Sequence, residues 1–167
     1  NVDRFPFGTP FTSATSVGTL SAGTSAGAFG HSDTDGDTSY VSGGTFNNGL
    51  AVRANIQSYP FSSPFTGTTA VGTLSLSRYR GASTQSDTTA FSAGGTGVPL
   101  GVVFDVVDSF PFSSPFTTAT DVGDLIANVD EPAGISGDSD GFMAAGFGDP
   151  VVDRVTSFPF ASPFISS

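Results

Sequence analysis

The chain has no cysteine, no tryptophan and no lysine, and only one histidine (His31), one methionine (Met143) and one glutamate (Glu131) among 167 residues. Without cysteine there is no disulfide framework, no thiol nucleophile and no thiolate metal site. Five arginines face fourteen aspartates and one glutamate, for a formal net charge of -10. Nucleic acids and anionic membranes are bound through clustered Lys and Arg, so this composition excludes nucleic-acid partners and argues against membrane attachment. Apolar runs such as Val102–Phe104 and Val106–Val107 are broken by Asp105 and fall far short of a membrane span. No initiator Met, signal peptide or lipidation motif is visible, which leads us to expect a processed chain or a piece of a longer one. The scarcity of Lys and Glu beside abundant Ser, Thr, Gly and Asp resembles extracellular and virion-surface β-proteins. The expected location is therefore extracellular or on a virion.

What the chain does have is aromatic residues at regular places. Seventeen Phe and three Tyr accompany 22 Gly and 11 Pro, and the aromatics recur in a self-similar pattern. Triplets stand at Phe5-Pro6-Phe7, Tyr59-Pro60-Phe61, Phe110-Pro111-Phe112 and Phe158-Pro159-Phe160, spaced by 54, 51 and 48 residues. A second Pro-Phe pair follows each at Pro10-Phe11, Pro64-Phe65, Pro115-Phe116 and Pro163-Phe164. Twelve residues after the first aromatic of each full copy comes V-G-x-L, at Val17–Leu20, Val71–Leu74 and Val122–Leu125. A third landmark is an aromatic running into glycine: Tyr40 to Gly43-Gly44, Phe91 to Gly94-Gly95 and Phe142 to Ala145-Gly146.

Each landmark reads as a short strand. The two aromatics of Phe5-Pro6-Phe7 share a face at period two, and the missing N–H of Pro6 favours an edge strand or a strand start. Gly18 in V-G-x-L marks close backbone approach, and the glycine pairs permit the positive φ of a tight turn. A fourth strand is expected at Gly49–Arg53, Leu100–Phe104 and Pro150–Val152. No window sustains helical spacing of apolar residues without Gly or Pro. The expectation is an all-β chain, 1–167 forming one repeat domain, with repeats at 1–54, 55–105 and 106–153 and a closing strand at 154–167.

A period near fifty, four strands per copy and an aromatic strand ending in Gly-Gly resemble the kelch repeat of β-propellers. Copy two also carries Arg78 and Gly81 ahead of Phe91–Gly95, as kelch blades do; copies one and three lack the Arg, and no copy has the kelch Trp. The FPF and V-G-x-L elements further resemble repeats of phage tail or fibre proteins. The resemblance implies kelch-like blades of four antiparallel strands. Three copies are fewer than the 4–8 blades of a closed propeller. Closure would need a second chain or further copies, and either route implies a homo-oligomer or other protein subunits as partners.

The chemistry-bearing residues are few. His31 precedes Ser32 and Asp33, but no strained nucleophile turn surrounds them. Asp33, Asp35 and Asp37 alternate as Ca²⁺ ligands do, yet Gly36 lies between the last two acids and no Glu follows, unlike an EF-hand loop. Copper chemistry on a kelch-type propeller would need Cys, and a sialidase Asp-box does not match Ser32–Tyr40. The reading assigns no catalytic residue, no metal and no cofactor. It expects a non-enzymatic structural or assembly protein of a virion or extracellular appendage. The alternative is a carbohydrate- or receptor-binding adhesin module acting through loops between Gly23 and Thr38, Arg78 and Thr88, and Asn128 and Asp140.

Overall fold

Short runs of β-branched and aromatic residues, each stopped by Gly, Pro, Ser or Asp, leave the backbone little option but brief strands. The computed structural model describes residues 2–5, 13–20, 26–33, 35–46, 51–61, 67–99, 101–113, 118–147 and 154–161. In chain order its strands are β1 (Val2–Arg4), β2 (Thr15–Gly18), β3 (Phe29–Asp33), β4 (Thr38–Ser42), β5 (Thr45–Phe46), β6 (Ala51–Val52), β7 (Asn55–Pro60), β8 (Thr69–Thr73) and β9 (Arg78–Tyr79). They continue as β10 (Ala82–Gln85), β11 (Thr89–Ala93), β12 (Thr96–Gly97), β13 (Val102–Val103), β14 (Val106–Pro111), β15 (Thr120–Asp124), β16 (Ala133–Ser136), β17 (Asp140–Ala144) and β18 (Val155–Pro159). Among the described residues there is no helix, so the chain is all-β as expected.

Pairing is antiparallel within each sheet, and strand order follows the sequence in the larger ones. Sheet I is β3-β4-β7-β8, sheet II is β10-β11-β14-β15, and sheet III is β16-β17-β18. A separate pair, β1-β2, matches the last two strands of sheets I and II, and two small sheets, β5-β6 and β13-β12-β9, sit beside the larger ones. Each four-stranded sheet takes two strands from one sequence copy and two from the next. Among the described residues the sheets do not close into a ring.

The repeated motifs now have local explanations. The FPF-type triplet ends the third strand of its sheet, an interior strand in sheets I and II. Pro60 and Pro111 are tolerated there because they lie beyond Ser58 and Ser109, the last residues paired to β8 and β15. In each V-G-x-L the Val is the extra residue of a β-bulge: Val17, Val71 and Val122 are skipped in the pairing of β2, β8 and β15. The bulge turns the strand end inward, and Leu74 and Leu125 are buried.

The fourth-strand expectation needs correction. Among the described residues of these segments Ala51–Val52 and Val102–Val103 are strands as expected, but they close small hairpins outside the large sheets instead of completing them. Pro150–Val152 and all four second Pro-Phe pairs lie outside the described residues. The first strand of each large sheet is instead β3, β10 or β16, segments whose letters (FGHSD, ASTQ, AGIS) share no pattern.

The core lies between sheets. Phe29, Tyr40, Ile56, Leu74, Ala90, Phe110, Phe112 and Ala119 fill the layer between sheets I and II. Ala82, Phe91, Ala93, Val107, Leu125, Val129, Met143 and Phe158 fill the layer between II and III. Main-chain hydrogen bonds tie the layers in one direction. The N–H of Arg80 donates to the Gly27 carbonyl (2.8 Å), and the N–H of Glu131 donates to the Arg80 carbonyl (2.6 Å). These three equivalent residues all have positive φ, at 65, 61 and 55°.

Candidate functional site

Three places gather chemistry-bearing side chains: a buried imidazole, a buried ion pair and a row of exposed acidic hairpin tips. The first two sit in the joint between sheets I and II.

His31 projects from β3 and is buried. Its Nε2 lies 3.1 Å from Ser92 Oγ and 3.3 Å from Ser42 Oγ, and the two hydroxyls are 3.1 Å apart. The Phe110 ring meets it edge-on at 5.1 Å. Nδ1 lies toward the Thr84 main chain without a well-formed hydrogen bond. Burial pushes the imidazole from 6.5 down to about 3, the Thr84 main chain opposing, so the ring is neutral at physiological pH. A neutral base beside two hydroxyls has the elements of nucleophile activation. Here, though, all three side chains are buried between sheets, and Asp33, two residues along β3, uses Oδ1 to accept from the N–H of Asp35 and Gly36. The trio ties β3, β4 and β11 together.

Arg78 stands in β9, just past the V-G-x-L bulge, and its side chain is fully buried. It donates to the carbonyls of Gly94 (3.1 Å), Val106 (2.6 Å) and Ser92 (2.7 Å) and to Asp108 Oδ2 (2.9 Å). Asp108 Oδ2 also accepts from the Ser75 N–H at 3.0 Å. Burial pulls the guanidinium down from its ordinary value, and the Asp108 charge opposes that shift. The Arg78 carbonyl accepts from the Gly44 N–H of sheet I at 2.9 Å, and the Val129 carbonyl accepts from Gly95 in the same way at 2.7 Å. A Cβ on Gly43 would stand 2.5 Å from the Arg78 carbonyl, and one on Gly94 would stand 2.8 Å from the Val129 carbonyl. The diglycine is thus where one sheet presses on the linker of the next, which its appearance as a turn signal did not reveal.

The exposed chemistry lies at one rim, where the turns between first and second strands line up. Asp33, Asp35 and Gly36 face Asp87 and Thr88 across a shallow cleft floored by Phe112. A second cleft is lined by Gln85, Ser86, Asp87, Ser136, Gly137 and Asp138. The tips are braced by the FPF motif: Phe61, Phe112 and Phe160 donate their N–H to the carbonyls of Asp37, Thr88 and Ser139. Gln85 clamps the neighbouring sheet by accepting from the Ser32 N–H (2.9 Å) and donating to the Ser32 carbonyl (2.6 Å). Among the described residues no three His, Asp or Glu side chains converge as metal ligands. Asp33 serves as a turn cap through its Oδ1.

Of the residues raised from sequence, His31 and Arg78 come together across one joint, and Asp33, Asp35 and Asp37 stand at the rim. Arg53 lies over the Phe46 ring (5.0 Å), and Arg80 pairs with Asp130 (3.6 Å) and Glu131 (3.2 Å) at the surface. Ser42, Ser92, Asp108 and Gln85 were not foreseen; an isolated buried Asp or Gln carries no periodic signal. Compared with known proteins, the chain matches no family model and no curated sequence.

Proposed function

We propose that the chain is a non-enzymatic structural or assembly component of a virion or extracellular appendage, built from kelch-like blades and partnered by protein subunits. The observation that carries this reading is where the reactive side chains go. His31, Ser42, Ser92, Arg78 and Asp108 are all buried between sheets, where they join one repeat to the next. The blade reading is supported by strand order that follows the sequence in four-stranded sheets, and by first strands β3, β10 and β16 that neighbour one another. Antibodies against the chain, used for immunogold imaging of intact particles or appendages, should decorate the assembled structure. Label confined to unassembled material refutes the reading.

The rim clefts favour a second reading, a glycan- or receptor-binding module acting through the hairpin tips. Its test is a glycan array in which exchange of the Asp33–Thr38 and Ser86–Thr89 turns abolishes a signal that the unchanged chain gives. An array with no signal ends it.

A further inference from the structure

Two Asp-Gly steps occur in the chain, Asp35-Gly36 and Asp140-Gly141, each near the turn between the first and second strands of a large sheet. In such a step the main-chain nitrogen of the glycine can attack the side-chain carboxyl of the aspartate, and a glycine without Cβ leaves that approach unhindered. The five-membered ring so formed reopens through either carbonyl, and one of the two products threads the backbone through the side chain as isoaspartate. What decides the outcome is how the fold holds the glycine and its aspartate. It holds these two steps differently.

Asp35 and Gly36 are exposed in the turn between β3 and β4, beyond the paired residues Asp33 and Thr38. The Gly36 N–H donates to Asp33 Oδ1 at 3.0 Å, and the Asp35 N–H reaches the same oxygen at 3.2 Å. The nitrogen that would attack therefore already directs its proton at a carboxylate, a general base. Asp140-Gly141 is held instead within β17. Gly141 is buried and pairs with Ser136 of β16 on one side and Phe158 of β18 on the other. A Cβ on it would stand 2.6 Å from Thr84 Oγ1 and 2.7 Å from the Phe158 ring, so the residue has no room to turn towards its neighbour's carboxyl. Asp140 is fixed as well: its Oδ2 accepts from the Ser139 hydroxyl at 2.5 Å, and its carbonyl accepts from the Gly137 N–H at 2.8 Å. Ring closure there would require β17 to leave both neighbouring strands.

We propose that Asp35-Gly36 is a site of spontaneous aspartate isomerisation, promoted by Asp33, and that the fold protects Asp140-Gly141 from the same reaction. The Gly36 nitrogen forms a bond to Asp35 Cγ while its proton passes to Asp33 Oδ1. The Asp35 carboxyl, reacting as the acid, loses its hydroxyl, which takes that proton from Asp33 and leaves as water. One water then opens the ring. Addition at Cγ restores aspartate; addition at the Asp35 main-chain carbonyl carbon breaks its bond to the Gly36 nitrogen and leaves isoaspartate. The net change is an isomerisation, with no oxidant or cofactor. The product carries one extra backbone carbon in the turn, which displaces the Gly36 carbonyl to which the Thr38 hydroxyl donates at 3.0 Å. It also reshapes the cleft that Asp33, Asp35 and Gly36 form with Asp87 and Thr88. The modification thus alters one tip of the rim while the sheets behind it keep their pairing.

The two steps share their residue types, so one sample contains both the site and its control. The full chain is kept folded at mildly acidic pH and body temperature for weeks, and isoaspartate in its proteolytic peptides is located by electron-transfer fragmentation, which separates the two backbones of equal mass. Isoaspartate should accumulate at residue 35 at least about tenfold faster than at residue 140. In concentrated urea, where neither turn nor strand persists, the two rates should converge. Asp33→Asn keeps a side-chain oxygen for the two N–H groups but removes the base, and should slow the reaction at residue 35 several-fold while leaving residue 140 unchanged. No isoaspartate at residue 35, or equal rates at the two sites in the folded chain, overturns the site. A rate in Asp33→Asn equal to or above that of the original chain overturns the part assigned to Asp33. None of these readouts depends on what the chain assembles with, so this inference and the assembly reading fail separately.

Discussion

The neutral imidazole between sheets I and II makes stability depend on pH in a calculable way. With His31 at about 3 in the folded chain and 6.5 as its ordinary value, acidification below 6.5 protonates the unfolded ring first. The unfolded state then binds more protons, so stability is full above pH 6.5 and is lost as pH falls towards the folded value. Each unit in that window costs about 1.4 kcal/mol, or roughly 3 kcal/mol between pH 6.5 and about pH 4.5. Carboxylates titrate in the same range, so the measurement is a comparison. Urea denaturation at about pH 7.5 and pH 4.5 should show the original chain losing roughly 3 kcal/mol more than His31→Thr, which installs the residue that sheet II carries at the equivalent place, Thr84. Because His31 is the only histidine, its ring gives a single imidazole resonance that reports the titration directly. A folded-state midpoint near 6.5, or the same acid sensitivity in His31→Thr, refutes the reasoning.

Three further outcomes follow from the joints. Replacing Arg78 by Met keeps the aliphatic volume but leaves the Asp108 carboxylate buried without its cation, and should cost about 3–5 kcal/mol in urea denaturation; Arg53→Ala, losing a contact to exposed Phe46, should cost under about 1 kcal/mol. Equal effects would mean that the buried pair is not what holds the joint. Phe112→Ala removes a ring that is 7% exposed and should cost about 3–5 kcal/mol, whereas Phe61→Ala, at the same motif position but 45% exposed, should cost about 2 kcal/mol less; the difference in midpoint of dilute samples decides it. Gly43→Ala drives a Cβ to 2.5 Å from the Arg78 carbonyl and should lower the thermal midpoint well beyond Gly101→Ala, where φ is 92° and nothing lies within 4 Å. Similar losses at the two glycines would show that backbone conformation alone sets the requirement.

Much of this architecture could be read from the letters, because turns and bulges impose residue types locally. The V-G-x-L bulges, the strand-ending prolines and the positive-φ glycines each leave a mark in every copy. What escaped notice was whatever depends on the partner across a joint. β3, β10 and β16 have no common sequence because each is shaped by a different neighbour. Gly134 must be small against the Ser83 carbonyl, Gln85 must reach Ser32, and His31 must fit beside Ser92. Arg78 stood out, through its likeness to kelch blades, but Asp108 did not, since the pair is separated by thirty residues and occurs in one copy. The rim acids were visible, and their arrangement as neighbouring tips follows from sheet stacking that no single repeat contains.

The one-way chain of main-chain bonds through Gly27, Arg80 and Glu131 bears on how such a protein changes over generations. A unit whose upper and lower surfaces are complementary can be duplicated or deleted whole, since the new junction has the geometry of the old one. Each added unit brings one more tip to the rim, so copy number sets the length of the rim while the turns between Asp33 and Thr38, or Ser86 and Thr89, vary independently of the frame.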